Sequence, residues 1–259
     1  KWFTLEFIGN RHDPYSDIGM VNAQGGKIIN LTNSGYTSGS PRWVLDGNAI
    51  LFITERYGMR AHASWGSLND VMLVFMNQDA YDKFRLSKED YELEKEQKDT
   101  TETKKNDKKK GDNKEKSEEK KEEKVKDIVV ELNNIEDRIV RLTPNSSDLG
   151  SAIITKDGET LYYLSAFEGG YDLWKMNLRK KDTKLLHKMD AGWANMEMDK
   201  DGKNLFLLGS NTMQKMGTDS ESLKPISYQA HVKMDLAAER DYMFNHVYKQ
   251  EQKRFYNLN

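Results

Sequence analysis

The 259 residues include 40 Lys and Arg and 42 Asp and Glu, so the charges nearly balance. Outside one mixed-charge tract, the sequence has no basic stripe with interleaved aromatic residues, which argues against a nucleic-acid partner. The sequence has no cysteine, which excludes disulfides, thiolate metal sites and a cysteine nucleophile and favours a cytoplasmic over a periplasmic location. No apolar run is long enough to span a membrane.

A repeated turn-and-strand unit runs along the chain. The tight-turn dipeptide Asp-Gly precedes an apolar strand pattern in copies that begin at Asp46, Asp157 and Asp201. Each repeat also contains a second pair of predicted strands. The first strand of the pair begins at Asp17, Asp127 or Asp172, and the second strand ends at Leu31, Leu142 or Leu185. Four short antiparallel strands per repeat form one blade, so the sequence predicts an all-β fold, a partial β-propeller of about four blades.

The chain opens inside a strand pattern. Lys1-Trp2-Phe3 matches the positions that follow Asp-Gly in the later copies, so we expect the first blade to lack its opening strand and the ring to be open. An open ring exposes strand edges and apolar blade faces, so we expect the isolated chain to associate.

The loop from Arg56 to Ser67 is the main candidate for ligand contact. It is long and glycine-rich, and long loops on a rigid scaffold concentrate binding residues. Arg56 and Arg60 can pair with a peptide carboxylate, and Trp65 can pack on a peptide side chain. We therefore predict peptide binding by these three residues. The acidic-aromatic loop from Phe167 to Tyr171 is a second candidate.

A charged insert interrupts the blade that contains Asp46. The spacing of both repeated units predicts that the extra residues lie between the second and third strands of this blade. Residues 88–126 are too charged to bury a core, so we expect them to be disordered. The strand-like run Asp70–Phe75 precedes them, and periodicity leaves open whether this run or residues 127–132 pairs in the blade.

Helical spacing begins only near the end of the chain. Leu236 and Met243 belong to an apolar pattern near helical spacing, and Asp235 is a predicted N-cap. We therefore divide the chain into propeller blades over residues 1–234 and a helix that opens another domain over residues 235–259.

No motif in the sequence predicts catalytic chemistry within this chain. The five histidines lack the spacing of a zinc motif, and there is no Gly-x-Ser-x-Gly. We expect no catalytic residue, no metal and no cofactor here, and His246 in the terminal helix is interpreted as an ordinary surface or packing residue.

Three segments carry a resemblance to known families. Ser40–Gly47 resembles the start of propeller blades in several bacterial families, with Val44-Leu45 in place of Ser-Pro. Val130–Leu142 is similar to a segment near the end of the second propeller of tricorn proteases, and Asp235–Asn259 resembles the helix that opens their first catalytic subdomain. The resemblance implies a serine protease that acts on peptides as a large homo-oligomer, with its catalytic His and Ser downstream of this helix.

The leading hypothesis is a non-catalytic propeller module that gates or guides peptide substrates or products for that downstream serine active site. Peptidase activity is then expected of the parent protein and not of this chain. The alternatives are a stand-alone protein-binding β-propeller and the propeller of a prolyl-oligopeptidase-type enzyme, which an α/β-hydrolase domain would follow.

Overall fold

Antiparallel sheets follow one another along most of the chain. The structure is a computed structural model that describes residues 1–9, 15–60, 66–96, 127–210 and 212–256. It divides into two units, Lys1–Pro225 and Ile226–Asn259.

The first unit contains four sheets among the described residues, each built from strands that are consecutive in the chain. Blade 1 has β1 (Trp2–Phe7), β2 (Asp17–Asn22) and β3 (Ile29–Asn30), and blade 2 has β4 (Ser38–Val44), β5 (Ala49–Thr54), β6 (Asp70–Phe75) and β7 (Ile139–Arg141). Blade 3 has β8 (Asp148–Ile154), β9 (Thr160–Ala166), β10 (Tyr171–Asn177) and β11 (Asp182–Ala191). Blade 4 has β12 (Ala194–Met198), β13 (Asn204–Gly209), β14 (Thr212–Gly217) and β15 (Leu223–Pro225). This is the predicted partial β-propeller.

The middle strands are apolar on both faces, and this pattern stacks the blades. In β5, Ala49 and Leu51 belong to a core shared with blade 3, whereas Ile50 and Phe52 belong to a core shared with blade 1. Successive side chains of a strand point to opposite faces, so a strand that is covered on both sides is apolar throughout. β9 repeats the pattern toward blades 2 and 4. Each fully buried side chain of the size of Leu or Phe contributes about 1.5–3 kcal/mol.

The Asp-Gly turns connect the first and second strands of blades 2, 3 and 4, as predicted. Gly158 and Gly202 each have a φ of 73°, a left-handed conformation that glycine adopts without strain. In the blade 3 turn, the Asp157 carboxylate accepts a hydrogen bond of 3.0 Å from the backbone N–H of Glu159. These turns therefore form from local sequence alone.

In blades 1 and 2, an aspartate at the start of the last strand but one ties that strand to the residues that follow the last strand. Asp17, which begins β2, accepts a hydrogen bond of 2.8 Å from the Thr32 hydroxyl. Asp70, which begins β6 and is fully buried, accepts one of the same length from the Thr143 hydroxyl. Leu31-Thr32 and Leu142-Thr143 thus hold equivalent positions in their blades.

The repeat spacing favours Asp127 for this position in blade 2 but leaves open whether Asp70–Phe75 or residues 127–132 pairs there, and the structure gives the position to Asp70. Asp70–Phe75 pairs with both β5 and β7, whereas residues 127–132 form no strand. Asp70 meets the Thr143 hydroxyl, and that contact, which local periodicity does not reveal, defines the repeat position.

The insert lies between β6 and β7, and not between the second and third strands as predicted. The β5–β6 connection is itself long, over residues 55–69, so two separate additions share the extra length. After β6 the chain forms α1 (Gln78–Arg85), whose N-cap Asn77 accepts a hydrogen bond of 2.9 Å from the Ala80 N–H.

Residues 88–96, which the sequence analysis included in the disordered insert, form a second helix, α2. Tyr91 in α2 lies under the Arg179 guanidinium, 3.7 Å from ring centroid to Cζ, and this contact ties the helix to blade 3. The rest of the predicted disordered insert, residues 97–126, lies outside the described residues.

The second unit contains one helix, α3 (Leu236–Arg254). Its predicted N-cap is confirmed, because the Asp235 side chain accepts hydrogen bonds of 3.1 Å from the N–H groups of Ala237 and Ala238. The two units divide after Pro225, earlier than the predicted boundary at residue 234, because β15 ends there and residues 226–234 form no strand.

Candidate functional site

The antiparallel order of the strands gives the blades two ends, and the predicted ligand-contact loops lie at one of them. We call the end that carries residues 55–69 and 167–170 the loop end, because these segments join the second and third strands of blades 2 and 3. The opposite end, which carries the Asp-Gly turns and α1, is the turn end. Both loops predicted to contact a ligand therefore lie at the same end of neighbouring blades.

Arg60, a predicted peptide-binding residue, is already paired. Its guanidinium Nη2 lies 2.5 Å from the Glu55 Oε1, and its Nη1 lies 3.3 Å from the Tyr15 hydroxyl. Burial alone raises the pKa of Glu55, but hydrogen bonds from the Thr37 N–H and the Ser67 hydroxyl, together with the Arg60 charge, outweigh it and lower the pKa. Glu55 is therefore ionised at neutral pH and holds Arg60 at the base of the loop.

Arg56 is the more available of the two predicted arginines. It is exposed, and its guanidinium carbon lies 5.5 Å from the centroid of the Tyr57 ring. The guanidinium carbon of Arg141 lies 5.1 Å from the same ring. Tyr57, which is 48% exposed, thus presents an aromatic surface beside the Arg56 guanidinium. The third predicted residue, Trp65, lies outside the described residues.

The second predicted loop is held by polar and aromatic contacts. Phe167 packs edge-on against Trp174, with 5.0 Å between ring centroids, and the Tyr171 hydroxyl donates a hydrogen bond of 2.9 Å to the Asp148 carboxylate. Burial raises the pKa of Tyr171 to about 12, and the hydrogen bond and charge of Asp148 add to the effect. Tyr171 therefore stays protonated at neutral pH and acts as a hydrogen-bond donor.

A cavity of about 480 Å³ lies at the turn end, between α1 and the turns of blades 2 and 3. Its lining mixes acidic and basic side chains, including Asp46, Asp157, Lys156 and Arg179. Arg179 also donates hydrogen bonds to the carbonyl oxygens of Phe84 and Leu86, where α1 ends. These contacts fix α1 and α2 over the turn end.

Sequence reasoning missed an ion pair at the inner side of the blades. The Arg42 guanidinium on β4 contacts the Glu197 carboxylate on β12, with Nη2 to Oε1 at 2.9 Å and Nη1 to Oε2 at 3.3 Å. The pair joins blade 2 to blade 4, and Ile153 on β8 of blade 3 lines the same cavity as both residues. Each of the three residues stands four positions before an Asp-Gly turn, so an alignment of the repeats would have shown that they are equivalent.

Over the described ranges, the structure shows no cluster of His, Asp or Glu that could hold a metal ion. His187 contacts the Glu221 backbone carbonyl, and His246 stacks on Tyr242 within α3. No helix in the described part of the chain is long and apolar enough to cross a membrane.

The chain is similar to known proteins in its three-dimensional structure. No family model and no curated protein matches the chain. The chain is similar to the crystal structure of the tricorn protease, with a TM-score of 0.63 and 9% identity over 99% of this chain and 24% of that one. It is also similar to hydrazine synthase from Kuenenia stuttgartiensis, with a TM-score of 0.52 and 12% identity over 89% of this chain and 32% of that one. A third similar structure is TolB from Acinetobacter baumannii, with a TM-score of 0.50 and 10% identity over 83% of this chain and 38% of that one.

The chain therefore spans between a quarter and two-fifths of the solved proteins it resembles. At these identities the likeness concerns the fold, a β-propeller arrangement of successive four-stranded blades.

Proposed function

We propose that this chain is the non-catalytic propeller portion of a tricorn-like serine peptidase and that it guides peptides toward or away from an active site outside it. The observation that carries the proposal is the likeness to the tricorn protease, which extends over 99% of this chain. The alternative is a stand-alone protein-binding propeller, because TolB and hydrazine synthase, which are also similar in structure, are not named as peptidases.

The loop end of blade 2 suits a first contact with peptides. Arg56 offers a charge for carboxylates, and the exposed Tyr57 ring offers a flat surface for apolar side chains. Arg60 contributes through its pairing with Glu55, which shapes the loop, and we retain Trp65 as a further contact. We expect the parent protein to be a homo-oligomer. We also expect it in the cytoplasm, in keeping with the absence of cysteine.

The test is the binding of a fluorescein-labelled acidic peptide, followed by fluorescence anisotropy on the full 259-residue chain. We expect Arg56→Gln to weaken binding several-fold, while Lys180→Gln, an exposed charge at the turn end of blade 3, leaves it unchanged. Absence of peptide binding by the wild-type chain contradicts a guiding role. Cleavage of the peptide by contaminant-free protein contradicts the non-catalytic assignment.

A further inference from the structure

The inner sides of blades 2 and 3 are separated by a gap. The first strands of blades 3 and 4, β8 and β12, come close together, and so do β1 and β4, whereas β4 and β8 stay further apart. Two cavities lie in the gap, one of about 390 Å³ toward the loop end and one of about 450 Å³ toward the turn end. Both are lined by Arg42, Leu51 and Ala152, so they form the two halves of one groove.

Two strand edges border the groove. β4 and β8 are both the first strands of their sheets, and each pairs on one side only among the described residues. The β8 segment Gly150-Ser151-Ala152, which has small side chains, lines the loop-end cavity. An unpaired strand edge with room beside it is the geometry that accepts an extended peptide as an added strand.

The Arg42–Glu197 pair crosses this groove. The side chains are 43% and 64% exposed, and Arg42 lines both cavities. A peptide that added to β8 along its whole length would meet this pair. Exposed ion pairs contribute only about 0–1 kcal/mol, so a bound peptide can displace this one at little cost.

We infer that the groove between β4 and β8 is a binding site for an extended peptide, which pairs with the edge of β8, and that the Arg42–Glu197 ion pair is a latch that must open for the peptide to enter. The inference rests on the proposed function, because it names the place where a guided peptide would lie. The exposed Trp193 and Asn195 line the loop-end half, so a peptide collected by the blade 2 loop enters from that end.

A reversible covalent latch tests the site. The chain has no cysteine, so Arg42→Cys with Glu197→Cys creates a unique pair that a bis-maleimide containing a cleavable disulfide can bridge. The probe is a fluorescein-labelled peptide of alternating valine and threonine, blocked at both ends and therefore uncharged apart from its dye. We expect cross-linking to weaken its binding at least ten-fold (about 1.4 kcal/mol) and a reductant to restore it.

The matched control bridges Lys184→Cys with Glu221→Cys, an ion pair of 2.8 Å on the outer part of blades 3 and 4. Cross-linking there should leave binding unchanged, because that pair does not line the groove. A cross-linked Arg42→Cys/Glu197→Cys protein that binds as the wild type does overturns the groove site and leaves peptide binding elsewhere intact. A wild-type chain that does not bind the peptide overturns the proposed function along with it.

Salt provides a second test of the latch alone. Salt weakens exposed ion pairs, so binding of the uncharged peptide should strengthen with salt in the wild type and not in Arg42→Gln. At low salt, Arg42→Gln should bind up to about five-fold more tightly than the wild type, the factor that corresponds to about 1 kcal/mol. The double exchange Arg42→Glu with Glu197→Arg should restore the wild-type behaviour. Equal salt dependence in all three proteins contradicts the latch.

Discussion

At the scale of single residues, the carboxylate of Asp70 ties β6 of blade 2 to β7 and to the residues that follow it. It is fully buried and accepts hydrogen bonds from the Arg141 guanidinium and from the hydroxyls of Thr143 and Ser146. Asp70→Asn replaces an acceptor oxygen with a donor and leaves Arg141 without its charge partner. We expect a loss of about 2 kcal/mol or more in the free energy of unfolding, measured in urea. Asp182→Asn, at an exposed strand start, is the control and should stay within about 0.5 kcal/mol.

Glu55 links the stability of the same blade to pH. Its folded pKa lies below the ordinary value of 4.5, so the stability it contributes is complete above that value and is lost as pH falls through the folded pKa. We expect the wild type to be more stable than Glu55→Gln at neutral pH and the difference to shrink as pH falls below about 4.5. Urea unfolding of both proteins across this range measures the effect. A difference that is constant with pH would show that the charge of Glu55 plays no part.

At the scale of elements, Arg179 fastens the two insert helices to blade 3. It donates hydrogen bonds to the backbone carbonyls of Phe84 and Leu86, and its guanidinium stacks on Tyr91. Arg179→Ala should therefore speed amide hydrogen exchange in residues 78–96 and leave the strands of blade 3 unchanged. Lys180→Ala, at the exposed neighbouring position, should change neither. Uniformly faster exchange throughout blade 3 would contradict a role confined to the helices.

The Asp-Gly turns and the N-cap of α3 were predicted correctly because local sequence specifies them. An Asp-Gly turn needs only its own residues, and Asp235 caps α3 through hydrogen bonds to Ala237 and Ala238. By contrast, sequence periodicity could not choose between Asp70 and Asp127, because the position is defined by the distant contact of Asp70 with Thr143. The helix over residues 88–96 was not predicted either, and its Tyr91 contacts Arg179 of blade 3.

The candidate site was likewise predictable only where local sequence defines it. The length and glycine content of the β5–β6 loop identified Arg56 and Arg60, yet the pairing of Arg60 with Glu55 appears only in the folded loop. The contact of Arg42 with Glu197 joins residues in two blades that are not adjacent. Tertiary geometry, and not local pattern, creates it.

At the scale of the whole molecule, blade 4 has an uncovered apolar face. In β13, Leu205 and Leu207 are buried against blade 3, whereas Phe206 and Leu208 are 38% and 43% exposed. Because Leu51 of β5 and Tyr162 of β9, which are equivalent to Phe206, are covered by the next blade, we expect this face to drive association of the chain. Phe206→Thr with Leu208→Thr should raise the monomer fraction in sedimentation velocity. Leu185→Thr, which removes an apolar side chain of similar exposure from β11, should not.

The central claim is that this propeller holds extended peptides and does not cleave them. Native mass spectrometry after prolonged incubation with a blocked peptide tests both halves in one measurement, since it weighs the protein together with whatever it retains. The account predicts a complex whose mass equals that of the chain plus the intact peptide, and the absence of shortened peptides. A spectrum that contains only free chain, or a chain with peptide fragments, would contradict it.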